Sequence, residues 1–154
     1  MLRAMAADPF HTPAARGRPR QILVVDDDPP SREGLNTAFL REGHVVDTAA
    51  DAWQAIVRLR AHPFDIAVVD LDLPAVHGVD LGGWDVVQIA RAYQPAISVI
   101  VLSSDEDPTP GPEARPLDVN AVLGKPISLQ QLTDLVDSLP LPGTPRAPRS
   151  PIGR

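Results

Sequence analysis

Five short apolar runs divide the middle of the chain: Ile22–Val25, His44–Ala49, Phe64–Asp70, Ile97–Leu102 and Ala121–Leu123. Runs of this length, bounded by turn residues, read as strands. Ile22–Val25 and Ile66–Val69 contain no polar alternate, so both faces of these strands are expected to be covered. That is the pattern of central strands in a parallel sheet with helices on each side. Between the runs the apolar period changes to three and four. A first helix is predicted from Pro29-Pro30, residues suited to a first turn, with Leu35, Ala38 and Phe39 inward and a stop at Gly43. Asp51 caps a second that carries Ala52, Ala55, Ile56 and Leu59. A third runs from Trp84 until Pro95 forbids its continuation, and Ser128 caps a last one lined by Leu132, Leu135, Val136 and Leu139. The alternation predicts an α/β fold on a five-stranded, doubly wound parallel sheet. Pro108, Pro110, Pro112 and Pro116 fall between the last two strands. They remove donors and crowd the preceding turns, so a Pro-rich loop over 105–118 is expected in place of a helix there.

Composition sets the limits of this unit. Prolines punctuate both ends, and residues 1–20 and 140–154 read as disordered or extended segments flanking a domain at 21–139. The ends hold seven arginines and one acid, Asp8, which leaves residues 22–139 with seven basic against nineteen acidic groups, a formal charge of −12. A field of that sign repels phosphate backbones and argues against direct nucleic-acid binding. With no cysteine in 154 residues, disulfides and thiolate metal sites are excluded. No segment approaches the roughly 18 apolar residues of a membrane span, so a soluble, cytoplasmic protein is expected. Trp53 and Trp84 are expected to be packing residues, and His11, His44, His62 and His77 lack metal-ligand spacing.

Chemistry gathers where the predicted strands end. In an open parallel sheet the carboxyl ends of the strands face a common crevice. Here the first ends in Asp26-Asp27-Asp28, the third in Asp70 followed by Asp72, the fourth in Ser103-Ser104 and the fifth in Gly124-Lys125-Pro126. Carboxylates about 4 Å apart repel by several kcal/mol at intermediate dielectric, so such a cluster asks for a cation. Mg²⁺, or Mn²⁺ in its place, suits carboxylates, a carbonyl, waters and a phosphate oxygen. A carboxylate in that setting can attack a phosphoryl donor while a lysine and a hydroxyl share the charge. Lys125 is the only lysine among fourteen basic residues, as though a compact point charge were required there.

In order and spacing, ILVVDDDPPSREGL, FDIAVVDLDLP, VIVLSS and VLGKPIS resemble the response-regulator receiver family of two-component signalling. The resemblance covers residues 21–139. It implies a flavodoxin-like sheet of order 2-1-3-4-5 and a phosphoacceptor at Asp70. Asp27 would be a direct metal ligand, Asp26 would act through water, and Asp72 would offer its backbone carbonyl to the metal. Ser103 would be the hydroxyl that moves to the phosphoryl group, Lys125 the conserved-type lysine before a cis proline, and Asp28 a third acid outside the pocket. The partners implied are a histidine kinase or phosphotransfer protein and an unknown downstream protein, with slow self-phosphorylation and autodephosphorylation at most. No output domain is expected after Leu139.

Three departures alter the picture. AVHGVDLGGWDVV offers two helix starts, Gly78 and Gly83, with about five inserted residues, which brings Asp80 near the site from outside. Val122 stands where relatives carry an aromatic, so the usual hydroxyl-to-aromatic switch is not expected. The Pro-rich segment alters the surface relatives use for readout. Two other readings compete: a receiver-like interaction module that does not switch by phosphorylation, and a phosphatase using Asp70-Leu71-Asp72. The second is disfavoured because that motif class sits on a first strand.

Overall fold

The computed structural model describes residues 18–76, 78, 80–104 and 119–141. Five strands, β1 (Gln21–Val25), β2 (Val45–Ala49), β3 (Ile66–Asp70), β4 (Ser98–Ser103) and β5 (Ala121–Gly124), alternate with α1 (Pro29–Arg41), α2 (Ala52–Ala61), α3 (Gly83–Tyr93) and α4 (Leu129–Ser138). All pairs are parallel, in the order β2-β1-β3-β4-β5. This is the doubly wound arrangement expected from the sequence. The predicted Pro-rich loop at 105–118, most of the extension at 1–20 and most of the tail at 140–154 lie outside the described residues.

Alternation along the strands explains the layers. Leu23, Val25, Ala67, Val69, Val99 and Val101 face Ala52, Ala55 and Leu59 of α2 and Val86, Val87 and Ala90 of α3. Ile22, Val24, Ile66, Val68, Ile100 and Leu102 face Leu35 and Phe39 of α1 and Leu132 and Val136 of α4. Covered on both sides, β3 and β4 are buried at every position. The edge strands are wetter, and Val122 on β5 is exposed.

Side-chain caps fix where the helices begin. Asp51 accepts from the Gln54 N–H at 2.8 Å and Ser128 from the Gln131 N–H at 3.2 Å, as the sequence suggested. Asp28 does the same for α1, accepting from the Ser31 N–H at 3.2 Å and the Ser31 hydroxyl at 2.7 Å. Those Ser31 hydrogen bonds hold the Asp28 carboxyl below its usual range. At the far end of α1, Gly43 supplies the left-handed turn, with φ +89°.

Of the two possible starts for α3, the chain uses Gly83, while Gly78 lies in the preceding loop. The reason is steric. A Cβ on Gly83 would overlap the Asp70 carbonyl oxygen and lie 2.6 Å from Leu71 Cα, so only a glycine lets α3 press against the chain leaving β3. Trp84 packs against the core as expected. Trp53 requires a correction, because it is 55% exposed. One residue beyond the buried Ala52, it is turned about 100° away from the sheet.

Three polar side chains join distant segments. Gln94, at the end of α3, accepts from the Phe64 N–H at 2.7 Å and donates to the carbonyls of Leu59 (2.9 Å) and His62 (2.7 Å). Asn120 both donates its N–H to Val99 O and accepts from Val99 N–H, each at 2.8 Å, which extends the β4–β5 pairing by one residue. Arg20, 5% exposed, donates to the carbonyls of Leu139 (2.6 Å) and Asp137 (3.1 Å), and its own N–H reaches His44 Nδ1 at 3.1 Å. Among the described residues no helix is long and apolar enough to cross a membrane.

Two glycines should respond oppositely to alanine. Gly34 lies mid-helix in α1 with nothing within 4 Å of an added Cβ, so Gly34→Ala should stabilise by about 0.5–1 kcal/mol. Gly83→Ala should destabilise by about 1–3 kcal/mol, because α3 must move. Urea unfolding of the two variants checks both signs.

Candidate functional site

Parallel register brings the strand ends to one rim. Asp70 pairs with Leu102 and Ser103 with Gly124. The Asp26 N–H donates to Ala49 O at 3.0 Å, carrying β1 one residue further, and the Lys125 N–H donates to Ser103 O at 2.8 Å. Asp26, Asp70 and Ser103 are each 1% exposed, whereas Asp27 lies open at the rim. Carboxylate oxygens of Asp26, Asp27 and Asp70 fall within 4.8 Å of one another.

The Asp70 carboxylate is held at both oxygens. Oδ1 accepts from the Asp72 N–H at 2.9 Å and Oδ2 from Lys125 Nζ at 2.7 Å. The Lys125–Pro126 bond that delivers this lysine is cis. Asp72 stands beside the cluster with its own carboxylate engaged by the Ser104 hydroxyl at 2.7 Å. Its predicted contribution was the backbone carbonyl, which that contact leaves out of account. Asp80 is exposed and lies outside the three-carboxylate group.

Charge in this rim is only partly balanced. At separations of a few ångströms, two full negative charges repel by about 3–4 kcal/mol at an effective dielectric of about 20. Burial pushes the Asp26 carboxyl up to about 6; the Asp28 N–H, donating at 2.9 Å, pulls it down, and the charge of Asp70 pushes it up again. For Lys125, desolvation works against the ammonium but is outweighed by the hydrogen bond and charge of Asp70, with Asp26 and Asp72 adding to them, so its pKa is raised.

The donor set fits a hard divalent cation. Asp26 Oδ2 is buried and has no hydrogen-bond partner among the described residues, and it belongs to a trio of carboxylates close enough to share one ion. Oxygen donors of this kind suit Mg²⁺ or Mn²⁺. An orphaned acceptor beside two other acids matches the donor set of such a cation.

Sequence reasoning missed Arg32 and the Ser104 contact to Asp72, and offered Gly83 only as one of two helix starts. Arg32, on the first turn of α1, donates to the Asp26 carbonyl at 2.8 Å, so a cation covers the backbone of the acidic turn. The Ser104 contact to Asp72 ties the fourth strand's exit to the third's. Gly83 controls the approach of α3. For Arg32 the available signal was its position four residues after the cap Asp28, on the helix face above the strand end.

Fold and rim together define a class: a doubly wound α/β module with an acidic crevice at the carboxyl ends of its parallel strands. The chain belongs to the response regulator receiver domain family, whose model matches residues 22–137. It is 31% identical over 136 residues to the photosynthetic apparatus regulatory protein RegA of Cereibacter sphaeroides, covering 87% of this chain and 71% of that protein. It is 33% identical over 84 residues to the two-component response regulator PhoP of Pseudomonas aeruginosa, covering 54% of this chain but only 35% of that protein. Among solved structures, chemotaxis protein CheY4 of Vibrio cholerae superimposes with a TM-score of 0.67 at 21% identity, covering 77% of this chain and 97% of that one. A CheY-like receiver domain protein from Methanospirillum hungatei gives 0.66 at 22% identity, covering 77% and 91%. These two structures speak for the fold.

The raised pKa of Asp26 has a stability consequence in metal-free protein. A carboxyl whose folded pKa exceeds its unfolded value stabilises the fold at low pH, and that contribution is lost as pH rises from about 4 through about 6. Asp26→Asn should therefore raise stability at pH 7.5 by on the order of 2 kcal/mol, with the gain shrinking towards pH 4. Urea midpoints across that range, in the presence of a chelator, check the sign.

Proposed function

We propose that this receiver domain accepts a phosphoryl group on Asp70 from a histidine kinase or phosphotransfer protein, in a reaction dependent on Mg²⁺, and signals in the cytoplasm by protein–protein contact. The observation that carries the reading is the pairing of a buried carboxylate, Asp70, with a lysine at 2.7 Å and two further acids within 4.8 Å. Asp26 and Asp27 would hold the cation together with Asp70, Asp26 through water and Asp72 through its backbone carbonyl. When bound, the cation supplies charge neutralisation for the phosphoryl oxygens and the acidic cluster.

The chain's own groups account for the rest. Lys125 holds one Asp70 oxygen in place by its hydrogen bond, and can transfer that bond to an incoming phosphoryl oxygen. The Asp72 N–H fixes the other carboxylate oxygen. Ser103, one residue past the register partner of Asp70, offers the hydroxyl that would follow the added charge. Attack by an Asp70 oxygen on the donor's phosphorus forms the acyl phosphate as the bond to the donor nitrogen or oxygen breaks. Water attack on that phosphorus would reverse it slowly.

Recognition of the donor has its own support. A groove of about 270 Å³ opens beside the rim, between α1 and the β5–α4 turn, with walls that include Gly34, Leu35, Pro126, Ile127 and Leu129. Gly34 costs α1 helical propensity without meeting any internal need for a missing Cβ. Its value lies in keeping that wall low for a protein surface that must bring its phosphoryl group down to a buried acid.

Incubation with acetyl phosphate and Mg²⁺, followed by intact mass, should add one phosphoryl group, and Asp70→Asn should abolish the adduct. No adduct, or one that survives Asp70→Asn, sinks the phosphoacceptor reading and leaves a non-switching interaction module. For the groove, Gly34→Gln should slow phosphotransfer from the protein donor about tenfold, or ~1.4 kcal/mol. The rate with acetyl phosphate, which needs no protein surface, should stay unchanged.

A further inference from the structure

The α2 helix carries an outward stripe that the chemistry of the rim does not use. Ala52, Ala55 and Leu59 face the core, while Trp53 is 55% and Val57 48% exposed. With Ile56, Arg60 and Ala61 they border a groove of about 390 Å³. Positions 53, 57 and 60 follow the i, i+4, i+7 spacing by which one helix face meets another. A helix face turned to water alone would place polar groups at positions 53 and 57 as well as at 60.

The order of side chains along the stripe indicates what fits it. An aromatic stands at one end and a guanidinium at the other, seven residues or ~10 Å apart, with aliphatic Ile56 and Val57 between them. Arg58 is turned the other way, to Asp47 at 3.1 Å, which leaves Arg60 as the cation of the stripe. The helix from Ala52 to Ala61 has no acid in a chain of net charge −6. Such a sequence complements itself when reversed. Under a two-fold axis between Ile56 and Val57, Trp53 of one copy meets Arg60 of the other at both ends, and the aliphatic residues meet in the middle. Each Trp–Arg contact is a cation–π pair.

We propose that α2 is a self-association surface at which two copies of this chain pair antiparallel through Trp53, Val57 and Arg60. Five residues a side are far fewer than the roughly 20–30 of a stable interface, so the pairing is weak and concentration-dependent. The acidic rim lies at the strand ends and takes no part in the contact.

Sedimentation equilibrium of the full chain from about 10 μM to about 1 mM tests this. The mean mass should rise from the monomer's 16.5 kDa towards twice that value. Val57→Asp should hold it at the monomer value throughout, with an unchanged circular dichroism spectrum. Because the chain has no cysteine, Val57→Cys gives an independent readout. On oxidation it should form a disulfide-linked dimer, and Gln88→Cys on the exposed side of α3 should not. A mass that stays monomeric at every concentration overturns the proposal and assigns the stripe to a partner of other sequence. Association that survives Val57→Asp overturns it as well. If Val57→Asp does not fold, the absence of a Val57→Cys dimer decides against the proposal.

Discussion

Asp70 places a carboxylate at the end of a strand that is buried along its whole length, and much of the surrounding structure compensates for that one charge. A buried anion is tolerated only with paired charge and hydrogen bonds. Lys125 and the Asp72 N–H meet the requirement from two different strand exits. The rim cannot satisfy every acid in the same way: Asp26, equally buried, keeps one oxygen without a partner among the described residues and titrates near 6. The same point also fixes the packing. The missing side chain at Gly83 lets α3 close over the chain just beyond Asp70, so helix position and carboxylate position are set together.

Much of this was legible because it is local. The strands declared themselves by doubly buried apolar runs, the helices by their period, and two caps by a single residue each. The acidic turn, Asp70, Ser103 and Lys125 could be read because a parallel sheet delivers every strand end to one side. What could not be read depends on side chains meeting far from their sequence neighbours. Gln94 reaches back more than thirty residues to Leu59 and His62, and Asn120 stands in for a strand residue across 21 positions. The choice between Gly78 and Gly83 turned on a contact with the Asp70 backbone, which no composition rule contains. Trp53 is a different case: the inward period of Ala52, Ala55 and Leu59 already turned position 53 outward, and expecting an aromatic to pack overrode that signal.

The acidic rim and the α2 stripe occupy separate parts of the scaffold, whereas the groove beside α1 shares Asp26 and Lys125 with the rim. The rim belongs to strand termini, whose positions are fixed by hydrogen-bonded register. The exposed apolar features belong to helix flanks and to the sheet edge: the groove beside α1, the stripe on α2 and Val122 on β5. Arg32 on the acidic turn and Gly83 against the Asp70 backbone join the rim to α1 and α3.

The Arg20 clamp has a mechanical meaning. It joins the approach to β1 to the exit from α4, two segments 119 residues apart in the chain, at the opposite end of the sheet from the acidic rim. Tension applied through the flanking segments would load this guanidinium and the carbonyls it holds before it reached the strand register. A tether at either flank would therefore leave the crevice pointing away from its anchor, free to meet a visiting protein head-on.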